Sequence, residues 1–264
     1  MSDERERWVI GDVQGYLDAL LRVLNSVGLI AIGGSPSWTG GRSSLAVLGD
    51  LVDRGPDGVG VIELLMRLEK EARRVGGRVE VVIGNHDILM LAACRFGSMM
   101  SNATGRTVME DWRLSGGVAS DLARLTDAHV MWLRDLPGMR LEREVLMVHA
   151  DALLYCEYGS SVEEVNAAFA AILHGDDFAA WDRLLDNFSQ HRAFLGPSGC
   201  QRLEELLATF GGQQLVHGHT PIARMTRQPP EAVTAPYEYC DGRCVNVDPG
   251  LYLGGPGFAY KLKT

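Results

Sequence analysis

Five apolar runs in this 264-residue chain close on a residue able to hold a metal ion. They are WVIGD (8–12), SSLAVLGD (43–50), VEVVIGNHD (79–87), EVLMVHAD (144–151) and QQLVHGHT (213–220). The residues in question are Asp12, Asp50, Asn85, His149 and His219. Singly, an Asp or His past a strand is a turn or capping residue. Five in five is hard to reach by chance. Their carboxylate oxygens, amide oxygen and imidazole nitrogens together suit Mn, Fe or Zn better than Ca or Mg.

The residues around them add acid–base and anion chemistry. GDLVDRGPDG (49–58) places Asp53 and Arg54 in a Gly-bounded loop. The planar Arg54 guanidinium suits two oxygens of one phosphate, and the plainer reading of the pair is a surface ion pair. In GNHD (84–87), His86 could give a proton to a leaving group while Asp87 holds its ring. Asp87 also stands where it could cap a helix running through ILMLAACRF. One position is odd. Gln14, in GDVQG, sits two residues after Asp12, where a nitrogen or carboxylate donor would be the natural companion. An amide oxygen is a weaker, harder donor, which favours Mn or Mg over Zn.

The elements that must position these groups follow from the pattern. The β-branched runs suit strands covered on both faces. Between the first three lie helical patterns, YLDALLRVLNSVGL and DGVGVIELLMRLEKEARRVGG, the second stopped by Gly76 and Gly77. Strand–helix–strand–helix order predicts parallel strands and an α/β core, with ligands gathered at the strands' carboxyl ends. Residues 88–143 and 160–210 read as two mostly helical cap insertions, and residues 1–264 as one domain. The tail, YCDGRCVNVDPGLYLGGPGFAYKLK, reads as short antiparallel strands.

Bulk properties narrow the class. A net charge of −9 argues against general affinity for nucleic acid. No stretch approaches the roughly 20 apolar residues of a membrane span. MSDERERW has no apolar core, so a signal peptide is not expected there. The five cysteines are expected to be reduced thiols, with Cys240 and Cys244 incidental on a hairpin. These features predict a cytoplasmic enzyme. His129 and His174 have no partner motif and read as structural or exposed; His191 borders Arg192 and could line a pocket, but the bland reading is preferred there too.

Taken in order, GDVQG, GDLVDRG, GNHD, VHA and GHTP resemble the calcineurin-like metallophosphoesterases, over residues 8 to about 221. Within that superfamily they look like the phosphoprotein phosphatase branch, which includes bacterial Ser/Thr protein phosphatases and symmetrical diadenosine tetraphosphate hydrolases. The resemblance implies an α/β sandwich of two mixed β-sheets flanked by helices. It also implies two divalent metal ions, with Mn expected and Fe, Zn or Mg as alternatives. Carried over by motif, Asp12 holds the first metal, with Gln14 where relatives usually have His, and Asp50 bridges both. Asn85, His149 and His219 hold the second, and Asn85 also faces the phosphate. His86 is the general acid oriented by Asp87, Arg54 grips the phosphate, and Arg192 in FSQHRAFLG is the candidate second phosphate-binding arginine. His217 and Asp53 are placed just behind the ligands. The implied reaction is hydrolysis by a hydroxide generated between the metals. The expected substrate is a phosphorylated protein or small phosphate compound. A symmetrical dinucleoside tetraphosphate hydrolase is the alternative, and a catalytically degenerate binding module comes third, supported only by Gln14.

Overall fold

The computed structural model describes residues 5–263. Residues 1–4 of the charged N-terminal stretch, and Thr264, lie outside the described residues. The chain opens with β1 (Arg7–Ile10), α1 (Leu17–Ser26), the short hairpin β2 (Ile30–Ala31) and β3 (Ser37–Trp38), then β4 (Ser44–Val47), α2 (Gly58–Arg74) and β5 (Arg78–Val81). The first insertion carries α3 (Asn85–Phe96), α4 (Val108–Leu114), α5 (Ala119–Arg124) and α6 (Asp127–Arg134). Next come β6 (Met139–Glu142) and β7 (Val145–Val148), and then the second insertion with α7 (Val162–His174), α8 (Phe178–Asn187) and α9 (Gly199–Phe210). The last part is β8 (Gln214–His217), α10 (Ile222–Thr226), β9 (Tyr237–Tyr239), β10 (Cys244–Asn246) and β11 (Tyr260–Lys261).

Two mixed sheets result, ordered β11-β1-β4-β5 and β6-β7-β8-β10-β9. In the first, β1, β4 and β5 are parallel and antiparallel β11 lies on one edge; in the second, β7, β8 and β10 are parallel and antiparallel β6 and β9 lie on both edges. Val9, Leu48 and Val82 of the first sheet region face Val145, Met147, Val216 and Val245 of the second, all within one buried cluster. That alternation seals the sandwich. The other faces are covered by helices, so the parallel strands are apolar on both sides. α2 illustrates the covering: Val61, Leu65 and Leu68 recur on one face and are fully buried. Truncating Leu65 to Ala would cost about 2–5 kcal/mol. The N-terminus of α2 is satisfied by two acids. Asp57 accepts from the Gly60 N–H at 2.9 Å, and Asp121 of α5 accepts from Gly58 at 2.8 Å.

Three details depart from the sequence reading. The tail is not wholly antiparallel. β10 runs parallel to β8, with Asn246 beside His217, and only β9 and β11 pair antiparallel. α3 starts at Asn85 itself, so the first cap grows directly out of the donor loop. Cys240 is not an incidental thiol. It is joined to Cys200 with a Cα–Cα distance of 5.3 Å, tying the start of α9 to the β9–β10 hairpin. Cys94, Cys156 and Cys244 are free.

Candidate metal and phosphate site

The loops after β1, β4, β5, β7 and β8 deliver Asp12, Asp50, Asn85, His149 and His219 to one place. Asn85 Oδ1 lies 2.8 Å from His149 Nε2 and 2.9 Å from His219 Nδ1, and those two ring nitrogens are 3.2 Å apart. Asp50 Oδ1 is 3.3 Å from His149 Nε2. Ligand atoms of Asp12, Asp50 and His149 all lie within 4.8 Å of one another. Asp50 is therefore the shared wall of the cluster.

The chemistry of these contacts fits metal ions. His149 donates its Nδ1–H to the Leu48 carbonyl at 2.7 Å, which leaves Nε2 bare and pointing at two oxygens. Lone pairs facing lone pairs at hydrogen-bond distance need a cation between them. Burial pulls the His149 imidazolium down, against the charge of Asp50, and burial with His149 pulls His219 down to about 3. Neutral imidazoles are the ligating form. Burial works against the Asp50 charge, yet the neighbouring His149, His86 and His219 rings hold it below the ordinary carboxylate range. Near Asp12 the polarity is reversed. Asp12 Oδ2, Gln14 Oε1 and Asp248 Oδ2 are each buried without a hydrogen-bond partner. Burial and the neighbouring charges of Asp248 and Asp50 push the Asp12 carboxyl well up. Such orphaned acceptors mark a place for a cation.

Backbone geometry holds the site under strain. Ten non-glycine residues among those described have left-handed φ, and six are Gln14, Asp50, Asp53, Arg54, Arg192 and His219. Each costs on the order of 1–3 kcal/mol and persists because surrounding contacts enforce it. The approaches are close enough that a Cβ on Gly84 would strike Asp50, and one on Gly218 would strike Asp12 Oδ1.

The hydrogen bonds around His86 correct one assignment. Asp87 does not touch the His86 ring. Its carboxylate accepts from the Leu51 N–H at 2.8 Å and the Gly84 N–H at 2.9 Å, binding the start of α3 to the Asp50 loop. The partner of His86 is Asp53, whose Oδ2 lies 2.8 Å from His86 Nδ1 and whose Oδ1 accepts from Trp112 Nε1 at 2.8 Å. Burial opposes the His86 charge, but Asp50 and the Asp53 hydrogen bond outweigh it and raise the pKa.

A cavity of about 180 Å³ opens over Asp50, Asn85 and His86, and Arg54 and Arg192 line it. Arg54 lies with Cζ 4.0 Å from the Tyr252 ring centroid, and its N–H bonds the Gly116 carbonyl. Arg192 donates its backbone N–H to Asp151 Oδ2 at 2.9 Å. His191 and Arg224 also line this cavity, so His191 is nearer the chemistry than its sequence context implied. His217 turns to Tyr239, with Nε2 2.8 Å from the hydroxyl and Nδ1 2.9 Å from the Gly218 carbonyl, and contacts no donor side chain. A larger cavity, about 760 Å³, runs along β5 beside Arg73, Arg78 and Trp132, away from the donors named above. Size alone would have chosen wrongly.

Sequence reasoning passed over Trp112, Asp151, Tyr252 and Asp248. Asp248 carried the same signal as the others, an apolar run ending in an acid (CVNVD), hidden by the antiparallel reading of the tail. Asp151 closes the VHAD run beside His149. Trp112 and Tyr252 carry no local signal.

A family model described as calcineurin-like phosphoesterase matches residues 7–223, and the chain belongs to that family. The family's chemistry is phosphoester hydrolysis supported by a dimetal centre. Among similar proteins, an uncharacterised protein of Schizosaccharomyces pombe is 27% identical over 271 residues, covering 92% of this chain and 72% of that protein. The symmetrical bis(5'-nucleosyl)-tetraphosphatase of Neisseria gonorrhoeae is 26% identical over 197 residues, 70% of this chain and 61% of its own length. The chain thus spans less than two thirds of that tetraphosphatase. The solved structure of a cold-active protein tyrosine phosphatase superposes with a TM-score of 0.72 at 20% identity, covering 98% of this chain and 74% of that one. At that identity the likeness establishes the fold. No described helix is long and apolar enough to cross a membrane.

Proposed function

We propose that this chain hydrolyses phosphate monoesters of phosphorylated proteins or small molecules, with Mn as the preferred ion at both positions. The observation that supports it best is one small cavity floored by Asp50, Asn85 and His86 and walled by Arg54 and Arg192. Asp12, Gln14 and Asp50 would hold one ion, and Asp50, Asn85, His149 and His219 the other. Bound there, a metal pair activates water and neutralises phosphate oxygens. The chain's own part is positioning and proton delivery. Arg54 and Arg192 bind the equatorial oxygens, which fixes the phosphorus in line for attack. His86 gives its proton to the departing oxygen, and Asp53 keeps the ring charged and correctly turned. A second cavity, about 320 Å³ between α4 and α8, borders Asn85 and offers room for the leaving group.

Parallel assays with Mn on a phosphoserine peptide and on diadenosine tetraphosphate test the substrate. Turnover of the dinucleotide alone would sink the monoesterase reading. That alternative fits the relatives named symmetrical tetraphosphatases equally well. Untouched para-nitrophenyl phosphate, with no effect of His86→Asn, would instead support a non-catalytic binding module. A cytoplasmic location stays part of this proposal, against the pull of the Cys200–Cys240 bond, since such bonds are rare there. Counting free thiols after lysis into an alkylating agent decides the point.

A further inference from the structure

We propose that Asp248 is a positioning residue for the first metal, a carboxylate facing that position from the second sheet and supplying the negative charge that Gln14 lacks. This rests on the dimetal reading above.

The placement comes from the β8–β10 ladder. Asn246 pairs with His217 at the end of both strands, the next N–H, of Val247, still donates to the His217 carbonyl at 2.8 Å, and Asp248 follows directly; from the end of β8, the His219 N–H donates to Asp12 Oδ1 at 3.0 Å. From the other sheet, Gly11 presses on the same turn. A Cβ there would strike the Val247 carbonyl and stand 2.9 Å from Asp248 N, so only glycine lets Asp12 and Asp248 come together. The Asp248 side chain is fixed. Its Oδ1 accepts from the Gly250 N–H at 2.8 Å, and its backbone N–H donates to Asn246 Oδ1 at 2.8 Å. That leaves Oδ2 buried, immobile and unpartnered, as are Asp12 Oδ2 and Gln14 Oε1. The three residues are 1–2% exposed.

Three buried acceptors with no donor among them are costly unless something positive joins them. A bare acid pair could share a proton, but that satisfies two carboxylates and leaves the Gln14 oxygen alone. A divalent ion held by the Asp12 and Gln14 oxygens would satisfy both and give the Asp248 charge a counterion. Asp248 stands outside the Asp12, Asp50, His149 group whose ligand atoms lie within 4.8 Å of one another. It therefore acts at one remove from the closest donors, like the outer carboxylates that orient metal ligands elsewhere.

Asp248→Asn separates the possibilities, because the amide resembles a protonated acid. The test is a Mn titration of the metal-free full-length protein without substrate, followed by calorimetry and by the electron paramagnetic resonance of Mn. Wild type should bind two ions of unequal affinity. In the variant the weaker site should lose about 10–100-fold in affinity while the tighter stays within about two-fold. The metal-free melting temperature should hold or rise, since a carboxylate repulsion is gone. If both affinities are unchanged, Asp248 only shares a proton with Asp12 and the proposal is wrong. If the metal-free variant melts lower, Asp248→Glu becomes the arbiter: recovered weak-site binding supports the proposal, and none overturns it. Wild type that binds no Mn would refute the dimetal reading itself, a different outcome.

Discussion

Replacing Asp53 with Asn keeps the side chain's shape and removes one acceptor. Asp53 is fully buried and receives two donors, Trp112 Nε1–H at 2.8 Å and His86 at 2.8 Å. An amide offers one oxygen and one NH₂, so it can satisfy only one of them. With its oxygen on Trp112, the NH₂ faces His86 Nδ1, which must then be bare. The ring becomes the neutral Nε2–H tautomer, a poor acid at any pH. Loss of general acid catalysis is worth about 10²–10⁴ in rate, or about 3–5 kcal/mol. The pH profile should move as well. The raised His86 pKa means the acid form, and the stability it brings, is present at low pH and lost as pH rises through that pKa. Without the Asp53 charge the alkaline limb should fall by about 1 unit or more. The assay is kcat against pH on phosphoserine peptide and on para-nitrophenyl phosphate, whose leaving group needs little protonation. Asp53→Asn should damage the peptide reaction far more. Asp87→Asn should cost about 1–3 kcal/mol of stability through its two backbone donors and leave the pH profile in place. Equal loss on both substrates, or the same profile shift from Asp87→Asn, would refute the reasoning.

Other outcomes can be stated more briefly. Gln14→His should tighten the weaker metal site in a Mn titration without abolishing hydrolysis, because the orphaned amide oxygen gives way to an imidazole nitrogen. Asp151→Asn should raise KM for a monoester about ten-fold with a smaller change in kcat, since Asp151 fixes the Arg192 backbone and the Thr220 hydroxyl; a pure kcat loss contradicts this. Metal-free protein should lose stability as pH rises from about 4 to 7. Burial pushes Asp248 up to about 7, so in that window the folded state binds more protons than the unfolded one. The loss should be about 2–4 kcal/mol between urea melts at the two ends, and Mn should reverse the trend.

How much of this was legible depends on the range of each interaction. Strand ends were legible because burial on both faces writes a continuous apolar run, and the polar residue that breaks it is the one that leaves the sheet. Asp12, Asp50, Asn85, His149 and His219 were found that way, and the cap helices by their period. Asp248 wrote the same signal, but strand direction is not recorded in a three-residue run. Asp87 was preferred over Asp53 because adjacency suggests contact. On a helix, however, consecutive side chains diverge, and the first turn of α3 sends Asp87 back to its own backbone. Asp53 reaches His86 across 33 positions, through a left-handed turn that no composition announces. The Cys200–Cys240 pair spans 40 positions with no spacing rule behind it.

Trp112 gives the first cap a standing in the chemistry. Its indole, on α4, is 1% exposed and holds the carboxylate that holds the His86 ring. Grafting a different insertion onto this sandwich would therefore remove the hydrogen bond that steadies the partner of His86. Any replacement cap on this sandwich would need a donor at the place of that indole to keep Asp53 satisfied.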